Sequence, residues 1–200
     1  MEMLQYIIYF VTLLNPVALF IYLLPLKQER GMNEYTKILF RANLIAFVTY
    51  AVFAIFGEAI FTKLFRIEFS SFRLFGGLVL LGFAFGSIVQ GKKSLIATKG
   101  EMNDIATQIA MPFIVGAGTI AMSIIMGKAL GPVVALFSIA SVMAISFAIV
   151  LTLALIRQSM SKNMRTGLDQ TLNVVLRLNG FFVGSIGVDL VVTSLKNIFG

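Results

Sequence analysis

Six long apolar runs, separated by short charged connectors, make up nearly the whole chain: Leu4 to Leu24, Ile38 to Phe61, Phe72 to Val89, Ile105 to Met126, Val133 to Ile156 and Thr171 to Leu195. A bilayer's hydrocarbon core takes about twenty mostly apolar residues per helix. The runs are uninterrupted rather than alternating, which favours helices over barrel strands. The pattern predicts an all-α membrane protein, a single transmembrane domain over residues 1–200 with six transmembrane helices. Two of the runs are broken. Asn15-Pro16 interrupts the first, and Met111-Pro112 followed by Gly116-Ala117-Gly118-Thr119 interrupts the fourth. Proline removes a backbone donor and clashes with the preceding turn. Backbone groups freed in this way persist in a membrane only where they face protein or a wet cavity. Gly/Pro-interrupted spans at corresponding places in two halves point to a transporter's binding site. Pro25, at the end of the first run, is expected simply to terminate it.

Three spans per half is an odd number, so related halves must lie in opposite orientations. Ser71-Phe72-Arg73-Leu74-Phe75-Gly76-Gly77 resembles Val175-Leu176-Arg177-Leu178-Asn179-Gly180-Phe181 at an offset of 104, at which Lys92 also matches Lys196. The prolines of the two breaks are offset by 96. The reading is a 3+3 inverted-topology repeat with discontinuous helices one and four, repeat one spanning 1–96 and repeat two 97–200. Two unrelated kinked helices are the alternative.

Composition supports the class. The chain is 58% hydrophobic and 12% charged, against roughly a quarter charged in soluble domains. It has no cysteine and no histidine, which removes disulfides, thiol chemistry, the commonest metal ligand and the usual neutral-pH proton shuttle. No metal or cofactor is expected. The net charge of +7 does not argue for nucleic acid, because the basic residues fall mainly in the connectors. Lys27, Arg30, Lys37, Arg41, Lys92, Lys93, Lys99, Arg157, Lys162 and Arg165 belong to one side; Lys63, Arg66, Lys128 and Lys196 belong to the other. The positive-inside rule makes the first group cytoplasmic. The expected location is the cell membrane, multi-pass, with both termini outside. The opening Met1-Glu2-Met3 has no basic n-region, so the first run is expected to be retained as a span.

Polar residues within the spans are the candidates for function. Asn15 offers donors and an acceptor, suited to a zwitterion or to a freed backbone group; its alternative role is to cap the kink it forms with Pro16. Thr12 lies one turn earlier. After Pro112, Gly116 and Gly118 permit close backbone approach, and an unwound stretch there exposes amides suited to a carboxylate. Thr119 and Ser123, four residues apart, put hydroxyls on one face. A small-residue packing seam is the alternative. Arg73 and Arg177 are costly within a bilayer and read either as a pair of pseudo-symmetric gate residues, with Asn179 beside the second, or as snorkelling side chains. Glu58 and Asp189 are the only carboxylates well inside the spans. Asp189 is a candidate for coupling, or for ion pairing with Arg73, and Glu58 for structural pairing near Lys63. Gly82 and Gly86 of span three, and Gly180, Gly184 and Gly187 of span six, read as packing faces. The chain has no GxSxG, HExxH or phosphate-cradling loop with lysine, so an enzyme or an ATP-driven pump is not expected.

Taken together, Leu14-Asn15-Pro16, Phe72-Arg73-Leu74-Phe75-Gly76-Gly77, Ala110-Met111-Pro112 with Gly116-Ala117-Gly118-Thr119-Ile120, and Leu176-Arg177-Leu178-Asn179-Gly180 resemble the MarC family of integral membrane proteins, and within it the archaeal small neutral amino acid transporter branch. The resemblance covers essentially the whole chain. The family pattern has a second proline about where Ile21 stands, and proline in place of Ala117, so milder breaks are expected here. The resemblance implies a secondary transporter for glycine, alanine and similar amino acids, driven by an ion gradient of protons or sodium, with the lipid bilayer as its other partner. A passive membrane channel is one alternative. An export or resistance factor without amino acid cargo is another.

Overall fold

The computed structural model describes residues 2–89 and 100–199, with the backbone alone for Glu2, Pro112, Phe113 and Lys162. Lys92, Lys93, Lys99 and the boundary between the repeats at 96 and 97 lie outside the described residues. The described elements are helical: α1 (Glu2–Leu14), α2 (Pro16–Phe56), a wide π-helical turn (Ile60–Phe65), α3 (Phe69–Val89), α4 (Met102–Gln108), a second π-helical stretch (Ile109–Ile114), α5 (Ala117–Leu130), α6 (Pro132–Ser159) and α7 (Lys162–Phe199).

Local chemistry sets the boundaries. Asn15 adopts a left-handed conformation (φ 49°, ψ 65°) between α1 and α2, and Pro16 opens α2, where its missing N–H has no intrahelical role. Gly31, at φ 73° and ψ 174°, breaks α2 internally. The chain turns back there, because Phe10 of α1 and Tyr50 near the end of α2 stack edge to face at 5.1 Å. A straight helix over Met3–Phe56 would instead separate the ends of its 54 residues by about 80 Å. Gly131 does the same between α5 and α6 at φ 77° and ψ 155°, followed by Pro132 at the first helical position.

Four helical runs among the described residues are long and apolar enough to cross a membrane: Met3–Phe56, Phe69–Val89, Pro132–Ser159 and Asn163–Phe199. This differs from six separate spans in two places. The first two expected spans form one helical run divided by Asn15 and Gly31. The fourth, Ile105 to Met126, is split into α4, the π-helical stretch and α5, whose 14 residues are too short to cross alone.

Two packing systems organise the fold. In one, α3 and α7 run antiparallel along a glycine seam. A Cβ on Gly77 would stand 2.7 Å from the Gly187 carbonyl oxygen, and one on Gly180 would stand 3.1 Å from that of Ala84. Only hydrogen fits such backbone contacts. In the other, α2 beyond Gly31 lies antiparallel to α6. Lys27, just before Gly31, donates to the Ala154 carbonyl near the end of α6, and Phe40 meets Phe147 further along. The buried positions of this part of α2 are Tyr35, Ile38, Leu39, Ala42, Ala46, Tyr50 and Ala54; those of α6 are Ala135, Ser138, Ile139, Val142, Met143, Ser146, Val150 and Ala154. Except for Met143, the second set is the first shifted by 100 positions. Gly31 and Gly131 share that offset, which differs from the 96 of the prolines. The outward faces carry Phe40, Leu44, Val48, Phe137, Ile145 and Leu155, as a lipid-facing surface requires.

The charged connectors gather at one end. Arg30 donates to the Gly100 carbonyl at 2.7 Å, Arg41 to Asn103, and Arg157 makes a two-point contact with Asp169 at 2.9 Å. At the other end, Glu58 pairs with Lys128 at 3.7 Å, and not with Lys63 as its position in the sequence suggests.

Candidate functional site

At the first break, one residue turns the chain. Asn15 accepts the Ala18 N–H on its side-chain oxygen at 3.2 Å, its own N–H reaches the Val11 carbonyl at 3.0 Å, and its carbonyl takes the Leu19 N–H at 3.0 Å. Because Pro16 has no N–H, the Thr12 carbonyl lacks the donor four residues on. Ala18 is diverted to the Asn15 side chain, so the Leu14 carbonyl also loses its helical donor. The Asn15 amide nitrogen keeps two donors for other partners.

The second break is longer. Met111 is extended (φ −125°, ψ 122°), as the residue before a proline prefers. Val115 and Gly116 are extended too, and α5 begins at Ala117. Thr119, only 5% exposed, ties this segment together. Its hydroxyl accepts the Gly116 N–H at 2.9 Å and donates to the Gly116 carbonyl at 2.8 Å, with the Ile114 carbonyl at 3.3 Å. Tyr50 donates to the same Ile114 carbonyl at 2.6 Å. The first amides of α5, at Ala117 and Gly118, have no carbonyl one turn earlier within the helix, and carry the positive end of its dipole.

The two breaks meet at one cavity of about 100 Å³, lined from the first by Leu13, Leu14 and Asn15, from the second by Ile114, Gly116, Gly118 and Thr119, and from α3 and α7 by Ser87 and Asn179. It is small beside the roughly 300–1,000 Å³ of pockets for drug-sized ligands. Tyr22 closes one side, its hydroxyl 2.7 Å from Ser87 Oγ. Ser87 donates to the Phe83 carbonyl at 2.9 Å, which leaves Tyr22 as the donor between them.

Of the expected site residues, Asn15, Gly116, Gly118, Thr119 and Asn179 therefore line one cavity. Thr12 does not: it is exposed, with its hydroxyl on the Ile8 carbonyl at 2.8 Å. The left-handed residue between α1 and α2 rotates the earlier turn away from the face that Asn15 presents. Pro16 is buried but outside the lining. Ser123 is fully buried and bonds the Ile120 carbonyl at 2.7 Å, so of the face expected for Thr119 and Ser123 only Thr119 reaches the cavity. The side chain of Pro112 lies outside the described residues. Thr119 differs from expectation in another way, since its hydroxyl is used within the break.

Arg73 and Asp189 line a neighbouring cavity of about 60 Å³. Among the described residues no ion pair joins them, and Arg73 Nε is buried without a hydrogen-bond partner. Arg177 is exposed and does not mirror Arg73. Gly180, one turn after Arg177, packs on Ile88 of α3, while Arg177 itself points outward from that contact. Arg73, at the start of α3, faces α7. Tyr22 and Ser87 were not expected. Counting three, four and seven residues from Asn15 gives Ala18, Leu19 and Tyr22, one helical face, and all three line the cavity.

The MarC family model, described as MarC family integral membrane protein, matches residues 1–199. The chain is 26% identical over 176 residues to the UPF0056 membrane protein PH0214 of Pyrococcus horikoshii, covering 86% of this chain and 83% of that one. It is 29% identical to the UPF0056 membrane protein YvbG of Bacillus subtilis (92% and 90% covered) and 26% identical to YhcE of Escherichia coli (94% and 88%). Similarity thus reaches both archaeal and bacterial proteins and does not single out an archaeal branch. No solved structure matches the chain.

Proposed function

Because the chain belongs to the MarC family of integral membrane proteins, we propose from the site it builds that it is a secondary transporter of small neutral amino acids working by alternating access on an ion gradient. The observation that carries this reading is the cavity where the two breaks meet. Its size suits a solute of a few heavy atoms. The α5 amides suit a carboxylate, while the Leu14 carbonyl freed in the first break and the polar groups of Asn15, Tyr22 and Asn179 suit an ammonium or further hydrogen bonds. Among the described residues no charged side chain lines this cavity, which suits a net-neutral zwitterion such as glycine or alanine. The reading is of a transporter rather than an enzyme, with protons or sodium as the coupling ion.

A 3+3 inverted repeat belongs to the same proposal. The burial pattern recurring at an offset of 100 supports it, as do the antiparallel course of α2 and α6 and the matched glycines Gly31 and Gly131. So does a pair of related contacts: Lys27 on the Ala154 carbonyl and, 100 positions away, Gly127 facing the Ala54 carbonyl. Both termini are then outside the cell membrane under the positive-inside rule, which the gathering of Arg30, Arg41 and Arg157 at one end supports.

The test is uptake of labelled glycine by proteoliposomes under an imposed proton or sodium gradient. Accumulation above the outside concentration is expected for one of the two ions. Equilibration without accumulation is the behaviour of a passive channel, and no flux at all that of a protein without amino acid cargo. Terminal tags reachable from outside intact cells are expected for the orientation.

A further inference from the structure

Three cavities follow one another through the molecule and share their boundaries. The outermost, of about 470 Å³, is lined by Glu58, Glu68, Arg73, Ile125 and Lys128 among others. The next, of about 60 Å³, shares Arg73 and Ile125 with it and adds Tyr9, Ile186 and Asp189. That chamber in turn shares Leu13 and Gly118 with the central cavity. The partition at Gly118 is apolar and tight: a Cβ there would stand 3.3 Å from a Leu80 methyl and 3.7 Å from methyls of Leu13 and Leu190.

The middle chamber is lined by two charges of opposite sign that do not satisfy each other, a half-buried Arg73 and an exposed Asp189. Charged groups within a span are expensive and normally pair. Arg73 and Asp189 come from helices packed together, yet among the described residues they form no ion pair, and Arg73 Nε is buried without a partner. A buried polar atom left in this state calls for a ligand or water. A small zwitterion fits both ends, its carboxylate meeting a guanidinium that can bind it in a planar, two-point contact and its ammonium meeting a carboxylate. We infer that this chamber is a second subsite for the small amino acid, with Arg73 taking the carboxylate and Asp189 the ammonium, on a route from the outer vestibule to the central cavity that is closed at Gly118. The inference rests on the transport reading above and adds to it a second recognition step. The central cavity binds through backbone amides and neutral side chains; the chamber binds through opposed charges.

The absence of native cysteine allows a direct test. Single reporters Ile186→Cys in the chamber and Val183→Cys in the central cavity are placed in otherwise unchanged protein in lipid nanodiscs, where a polar thiol reagent reaches both faces. Glycine is expected to slow labelling at both. Adding Arg73→Gln to the Ile186→Cys protein is expected to raise the glycine concentration needed for half-protection by roughly ten-fold or more, the scale of one charge-assisted hydrogen bond. Val183→Cys carrying Arg73→Gln should stay protected by glycine, which also reports that the variant is folded. Arg73→Lys should recover part of the protection. Glycinamide, which lacks the carboxylate, should not protect Ile186→Cys. Protection of Val183→Cys without Ile186→Cys overturns the second subsite and leaves the transport reading standing. Protection of neither overturns both. Protection of Ile186→Cys that Arg73→Gln does not weaken overturns the role given to Arg73.

Discussion

The two breaks reach one cavity by opposite means. The first uses a single residue: Asn15 takes a left-handed conformation and caps the following helix with its own side chain. The second uses the stretch from Ile109 to Gly116, and a side chain inside the next helix, Thr119, holds it from below while Tyr50 holds it from across the bundle. The first is a local pivot, the second a tertiary construction. The first therefore depends on the conformational preference of one residue, while the second depends on packing that brings α2 against it. The same contrast extends to the far ends of the two half-helices, where a lysine reaches out to one carbonyl and a glycine lets the backbone close on the other.

Substitutions at five positions break or sharpen this contrast. The largest effect is expected at the ends of the half-helices. Gly127→Val drives a Cβ into the Ala54 carbonyl and should cost about 3 kcal/mol or more, seen as a large fall in thermal midpoint or as loss of folded protein in detergent. Its counterpart Lys27→Met removes one hydrogen bond and should be much milder, at about 1 kcal/mol. Equal losses from the pair would remove the asymmetry between the two halves.

Thr119→Val keeps the shape and leaves the Gly116 N–H unsatisfied, at about 2–3 kcal/mol, while Thr119→Ser should retain most of the stability. If thermal unfolding shows valine to be as good as serine, the hydroxyl does not hold the second break. At the first break the order of variants is diagnostic. Asn15→Ala loses the cap at about 1 kcal/mol and puts an ordinary residue in the left-handed region at a further 1–2 kcal/mol or so. Asn15→Gly loses the cap alone, so glycine should unfold at the higher temperature. The reverse order would mean that Asn15 is not held left-handed. The smallest effect is expected from Tyr50→Phe, about 1 kcal/mol for its bond to the Ile114 carbonyl. A double-mutant cycle with Thr119→Val should be non-additive, because both hydroxyls meet at that carbonyl.

The sequence was most legible where chemistry is local. Asn-Pro and Met-Pro mark both breaks because proline acts on its own neighbours. Gly180, Gly184 and Gly187 were legible as the α7 face of the α3–α7 seam, but on α3 the seam passes Gly77, while the expected Gly82 and Gly86 face open space. The proposed repeat was harder to read. Its clearest form is a burial pattern shifted by 100 positions, and the residues at matched positions differ in size: Tyr35 against Ala135, Ile38 against Ser138, Tyr50 against Val150. Burial is set by which face packs, and a small residue fills a buried site as legitimately as a large one when its neighbour is large. Matching letters therefore pointed to offsets of 96 and 104, and the packing to 100.

By itself the sequence determined that the chain is a helical membrane protein and that Asn15-Pro16 and Met111-Pro112 interrupt its helices, because hydropathy and proline act over short stretches; the stop expected at Pro25 falls instead at Gly31. Only the tertiary structure decided that Thr12 and Ser123 stay away from the cavity while Tyr22 and Ser87 meet across it, that Thr119 is spent on the backbone, and that Arg73 faces a chamber while Arg177 does not. Those outcomes depend on the rotation of one helix against another, which is not written in the neighbourhood of the residue concerned.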